Sequence, residues 1–85
     1  MRRTEITYKQ LDKALRSLGF TSYRANGEPP TLVYDHKETG ASFMIPVSPE
    51  TDFVLAYHLV GARTIANNFG VADPTVFDAQ LQRAG

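Results

Sequence analysis

The residues whose types could do chemistry are two histidines, His36 and His58, and a row of cations, Lys9, Lys13 and Arg16. Histidine is the side chain whose ordinary pKa suits a general base near neutrality. His36 follows Asp35 directly, and adjacent strand residues point to opposite faces, so Asp35 does not orient His36 as a base partner. The simpler reading of His36 is a polar residue where a strand leaves for a turn. His58 shares a helical spacing with Ile65 and Phe69, at the edge of an apolar stripe. The simpler reading there is a half-buried histidine satisfied by one hydrogen bond. Asp35, His36 and Glu38 are the one cluster of metal-ligating types, and their spacing matches no defined site. The chain has no cysteine, which excludes disulfides, zinc–thiolate sites, iron–sulfur clusters and thiol nucleophiles. Ser17, Ser22, Ser42 and Ser48 lie in no nucleophile-elbow pattern. The six glycines are scattered and none forms a phosphate-cradling turn into a helix, so no cofactor is implied.

The cation row points instead to binding. Lys9, Lys13 and Arg16 are spaced four and three apart, which places them on one helix face. Such a row can track phosphates of a nucleic acid, and Arg2, Arg3 and Arg24 add to it if a sheet edge lies near. The plainer alternative is a solvated helix face whose charge Asp12 partly offsets. His36 is a further candidate contact to nucleic acid. Tyr57 lies on the outer side of a second helix, where it suits a protein interface.

These residues must be positioned by a small scaffold. Eighty-five residues allow a single domain, and nine basic against nine acidic residues give zero net charge, which argues against a polyanion binder that works by bulk charge. The first helix is capped by Thr7 and stopped by Gly19, with Tyr8, Leu11, Leu15 and Leu18 on its apolar face. Three strands follow, at Phe20 to Arg24, Thr31 to Asp35 and Ala41 to Pro46. In the last of them Phe43 and Ile45 share one face, and Ser42 and Met44 the other. A second helix starts after Ser48 to Asp52 and carries Leu55, Leu59, Ala62, Ala66 and Phe69 to a stop at Gly70. Asp73-Pro74 opens a short third helix, which Phe77 and Leu81 staple to the core. The expected fold is α+β in the order α-β-β-β-α-α: a three-stranded antiparallel meander with the helices packed on one face. Residues 1–85 form one domain, with a core at about 7–70 and a helical extension at 73–82. No signal-peptide pattern and no apolar run of about 20 residues appears, which makes the cytoplasm the expected location.

The pattern resembles the HicA-like toxins of bacterial toxin–antitoxin systems. It is carried by Leu18-Gly19-Phe20 after a first helix, by a glycine-containing loop, and by Val33-Tyr34-Asp35-His36 with Gly40 beyond it. Ile45-Pro46 at a strand end and Asn68-Phe69-Gly70 closing a helix complete it. The likeness spans Tyr8 to Gly70. It implies a fold similar to double-stranded-RNA-binding domains, messenger RNA as the substrate of active members, and a HicB-like antitoxin as partner. Active members carry a histidine shortly after the loop glycine. Here Pro29 stands there counting from Gly27, and Thr31 counting back from Tyr34, and neither is a general base. The expectation is thus a HicA-like module with local RNA binding along Lys9, Lys13, Arg16, Arg24 and His36, and without ribonuclease catalysis. A protein-interaction module is the alternative, as a homodimer or with the product of a neighbouring gene, favoured by Tyr57, Met44 and neutrality. An active messenger-RNA-cutting toxin is the third.

Overall fold

The computed structural model describes residues 2–85. Its elements are β1 (Arg3–Thr7), α1 (Tyr8–Ser17), β2 (Thr21–Ala25), β3 (Thr31–His36), β4 (Ala41–Pro46), β5 (Phe53–Leu55), α2 (Ala56–Asn68) and α3 (Pro74–Ala84). The fold is α+β, with a three-stranded antiparallel sheet in the order β2-β3-β4, a separate two-stranded sheet of β1 and β5, and three helices.

Local chemistry explains the helix ends. The Thr7 hydroxyl accepts the Gln10 N–H and so satisfies one donor of the first turn of α1. Two more donors of that end, the Tyr8 and Lys9 N–H groups, are taken by the Asp52 and Glu50 carbonyls. After α1 the chain reverses at Gly19, whose φ of +96° belongs to the left-handed region. The Asp73 carboxylate accepts the Val76 N–H, and Pro74 occupies the first turn of α3.

In the meander, Ser22, Tyr34 and Phe43 lie opposite one another across the three strands, as do Tyr23, Val33 and Met44 on the other face. The first face meets the helices. Tyr34, Ala41 and Ile45 are buried in one core with Leu11, Ala14 and Leu15 of α1 and Leu59, Ala62 and Ala66 of α2, and Phe77 and Leu81 extend that core from α3, which packs on α1 and α2. The Phe43 ring stacks on Tyr34 and meets Phe20 edge-on. The second face is bare at its margins, where Tyr23 is 56% and Met44 67% exposed.

The structure corrects the sequence-based expectation in three places. β1 and β5 are strands outside that expectation. Their pairing sets Arg3 opposite Leu55 and Thr7 opposite Phe53, and the Thr4 hydroxyl donates to the Val54 carbonyl at 2.9 Å. The second helix therefore starts at Ala56, and Leu55 belongs to the strand before it. Phe69 lies just past the last turn of α2 and is exposed instead of extending its buried stripe. His36 ends β3 where the chain enters the turn, as expected, and its side chain is buried there. Among the described residues no helix is long and apolar enough to cross a membrane.

Candidate nucleic-acid interface

Lys9, Lys13 and Arg16 are exposed on α1, as their spacing requires. Arg16 does not point freely into solvent. Its Nε donates to Asp12 Oδ2 at 2.9 Å, one turn back along the helix, and its Nη2 donates to Ser22 Oγ of β2 at 2.6 Å. Arg24 is exposed on β2, on the same face as Ser22 and two residues further along the strand. The cations of α1 and the one on β2 thus share a single side of the molecule, where the helix crosses the margin of the sheet.

Beneath them runs a groove of about 240 Å³ between α1 and the sheet, with Lys9, Asp12, Arg16, Ser22, Tyr34 and Glu50 among its lining residues. Its floor is tied together by hydrogen bonds. The Tyr34 hydroxyl, inside the core, donates to Asp12 Oδ1 at 2.7 Å, while the other oxygen of the same carboxylate holds Arg16. Burial, with the Asp12 hydrogen bond and negative charge added, pushes the Tyr34 hydroxyl well above the ordinary tyrosine range. Asp12 likewise holds Arg16 in its charged form more firmly. One carboxylate therefore joins α1 to β3 directly and to β2 through Arg16.

Charge placement sets what the face can do. Lys9 and Lys13 have no side-chain partner among the described hydrogen bonds and ion pairs, so their ammonium groups are available to an anion. Arg16 is half neutralised by Asp12. Its guanidinium keeps exposed N–H edges but brings little net charge. Glu50 adds a negative carboxylate at the groove mouth. The arrangement suits a short contact with two or three phosphates, not a wide electropositive surface.

The two histidines lie elsewhere. The His36 ring sits under the C-terminal end of α1, edge-on to Phe20. Its Nε2 is 3.1 Å from the Leu18 carbonyl, so that nitrogen donates, and in the neutral ring Nδ1 accepts from the Thr39 hydroxyl at 2.9 Å. Both nitrogens are engaged by the protein itself, and His36 is not brought to the cation row. His58 lies in the first turn of α2 and is buried, with Nδ1 3.1 Å from the Tyr8 hydroxyl. Burial, helped by the charge of Arg3, lowers its pKa below the ordinary imidazole value.

The Tyr34–Asp12 bond was outside the reach of sequence reading. Asp12 and Arg16 could be paired from their spacing of four, but nothing local links either to a tyrosine 22 residues away. Among the described residues no group of three or more His, Asp or Glu side chains could hold a metal ion. No family model, curated protein or solved structure matches the chain.

Proposed function

We propose that the chain is a HicA-like module that binds RNA locally through Lys9, Lys13 and Arg24, with Arg16 as a held fourth member, and that it does not cut RNA. The observation that carries this reading is the gathering of these cations on one side of the molecule, from two elements distant in sequence, within a chain of zero net charge. The three-stranded meander β2-β3-β4 between α1 and α2, with only the short β5 added before α2, agrees with the resemblance to HicA-like toxins. The engagement of both His36 nitrogens supports the non-catalytic part, because activating a 2′-hydroxyl needs a base with a lone pair facing substrate. A HicB-like protein encoded next to the chain is the partner this reading brings with it, in the cytoplasm.

The test is retention of a short hairpin RNA by the purified chain over a salt series. Binding should weaken steeply with salt. The Lys9→Ala, Lys13→Ala, Arg24→Ala variant should lose most of it, with the log–log salt slope reduced by about 2–3. Arg16 is left intact because it also joins α1 to the sheet. Retention that is independent of salt, or equal in the triple variant, overturns the RNA reading. RNA cleavage lost in His36→Gln or His58→Gln overturns the non-catalytic part.

A protein-interaction module is the second reading. It is favoured by the exposed, uncharged Met44 and Tyr57 on neighbouring elements.

A further inference from the structure

We infer that the free edge of β4, together with the outer side of α2, is an interface between two copies of this chain. The inference names the partner for the protein-interaction reading and rests on it. It is independent of RNA binding.

Three observations converge on this surface. β4 ends the order β2-β3-β4, and among the described residues no strand pairs with its outer edge. An edge strand presents a row of unpaired N–H and C=O groups, and folded proteins commonly guard such edges with charged side chains. The sequence of β4, Ala-Ser-Phe-Met-Ile-Pro, has no charge and is guarded only at its last residue, Pro46, whereas the opposite edge strand β2 carries Arg24 in its interior.

The second observation is the composition of α2. A surface helix normally turns a charged face to water. The only charged residue in α2, apart from its buried histidine, is Arg63, and Arg63 is turned to α3, where Nε and Nη2 both bond Asp78. What α2 shows to solvent is Tyr57, Val60, Gly61, Thr64, Asn67 and Asn68, none of them charged, with Tyr57 52% and Val60 54% exposed. Such a helix carries more uncharged surface than its own core covers.

The third is Gly61 in the interior of α2. Glycine there costs about 0.5–1 kcal/mol relative to alanine. Nothing in this chain requires it, since a Cβ added at Gly61 would meet no atom within 4 Å. The absence of a side chain has a use if a second backbone comes close at that point. Gly61 lies beside Met44, Ile45, Tyr57 and Ile65 in an apolar groove between α2 and β4.

A second copy fits all three. β4 against its own two-fold mate makes an antiparallel pair, so each edge supplies what the other lacks and the sheet extends to six strands. Two uncharged surfaces meet without like-charge repulsion, and a chain of zero net charge has no overall repulsion to hold copies apart. The two α2 helices then lie side by side on one face of the joined sheet and approach at Gly61. The cation side, at α1 and β2, remains open at both far ends.

The test is the solution mass of the full chain by sedimentation equilibrium or light scattering. The expected mass is twice 9.4 kDa. Met44→Lys and Gly61→Lys should each shift it to the monomer. Neither is in the core, and lysine is a better helix former than glycine, so both variants should keep the parent circular dichroism spectrum and melt cooperatively. A monomeric parent at high micromolar concentration overturns the inference. So does a dimer that both variants preserve, which would place the interface elsewhere. A monomeric parent that binds the product of a neighbouring gene through Tyr57 sinks the dimer and leaves the interaction reading standing. A monomeric parent that binds no such product sinks both.

Discussion

Tyr34 and Asp12 meet between sheet and helix, the hydroxyl donating to the carboxylate at 2.7 Å from inside the core. Tyr34→Phe keeps the ring against Phe43 and removes only this bond. Asp12 keeps Arg16, so no charge is left bare. The expected loss is about 1–2 kcal/mol of unfolding free energy, read by urea denaturation. Loss well above that range, or none, would show that the bond has another weight than its geometry implies.

The same tyrosine should resist alkali. Its folded pKa is raised above the unfolded value of about 10. The stability this contributes is fully present below about pH 10 and is lost as pH rises through the folded pKa. Ultraviolet titration of the four tyrosines should show one that ionises only after the others, or together with unfolding. In Tyr34→Phe the late component should vanish.

His58 carries the opposite sensitivity. Its folded pKa is depressed by burial and by Arg3. The neutral ring contributes stability above its unfolded pKa of about 6.5, and that contribution is lost as pH falls through the lowered folded value. Thermal unfolding from pH 7.5 down to 4.5 should show a falling Tm, and His58→Asn should show a shallower fall. Parallel curves would assign acid sensitivity to other groups.

Gly19 is fixed by its surroundings. Its φ is +96°, and an added Cβ would stand 3.0 Å from His36 Nε2. Gly19→Ala should cost about 1–3 kcal/mol, from the left-handed backbone and from displacing the His36 ring off the Leu18 carbonyl. The His36 ring signals in an NMR spectrum should move with that displacement, and those of His58 should stay unchanged.

The last helix is part of the core. Phe77 is fully buried and Leu81 nearly so, and the Gln10 side chain of α1 donates to the Leu81 carbonyl at 2.7 Å. Phe77→Ala should cost about 3–5 kcal/mol, a large share of the stability of a domain this small. A cooperative melt with nearly the parent Tm would contradict that packing.

Legibility in the sequence followed the range of the interactions. The ends of α1 were readable because Thr7 and Gly19 act within a turn of their own positions. The bounds of β4 and the start of α3 were readable for the same reason, through the alternation of Phe43 with Met44 and through Asp73-Pro74. β1 and β5 were not, because each is short and gains its hydrogen bonds only from the other. Leu55 misled because it continues the spacing of Leu59, Ala62 and Ala66, and α2 has no side-chain cap to mark its first turn. The exposure of Lys9, Lys13 and Arg16 was legible from helical spacing. The burial of His36 was not, since it depends on how the end of α1 settles over the β3–β4 turn.

The β1–β5 pair has a consequence for the order of events during folding. Arg3 and Phe53, joined by a side-chain bond to a carbonyl, are 50 residues apart. Closing so long a loop costs more chain entropy than closing the four-residue turn between β3 and β4. The meander can therefore register from neighbours in sequence, while β1 waits until β5 has been carried to it. The bonds of the Tyr8 and Lys9 amides to the Asp52 and Glu50 carbonyls close comparably long loops. In kinetic terms, side-chain deletions in the meander should slow folding, and deletions in β1 should mainly hasten unfolding.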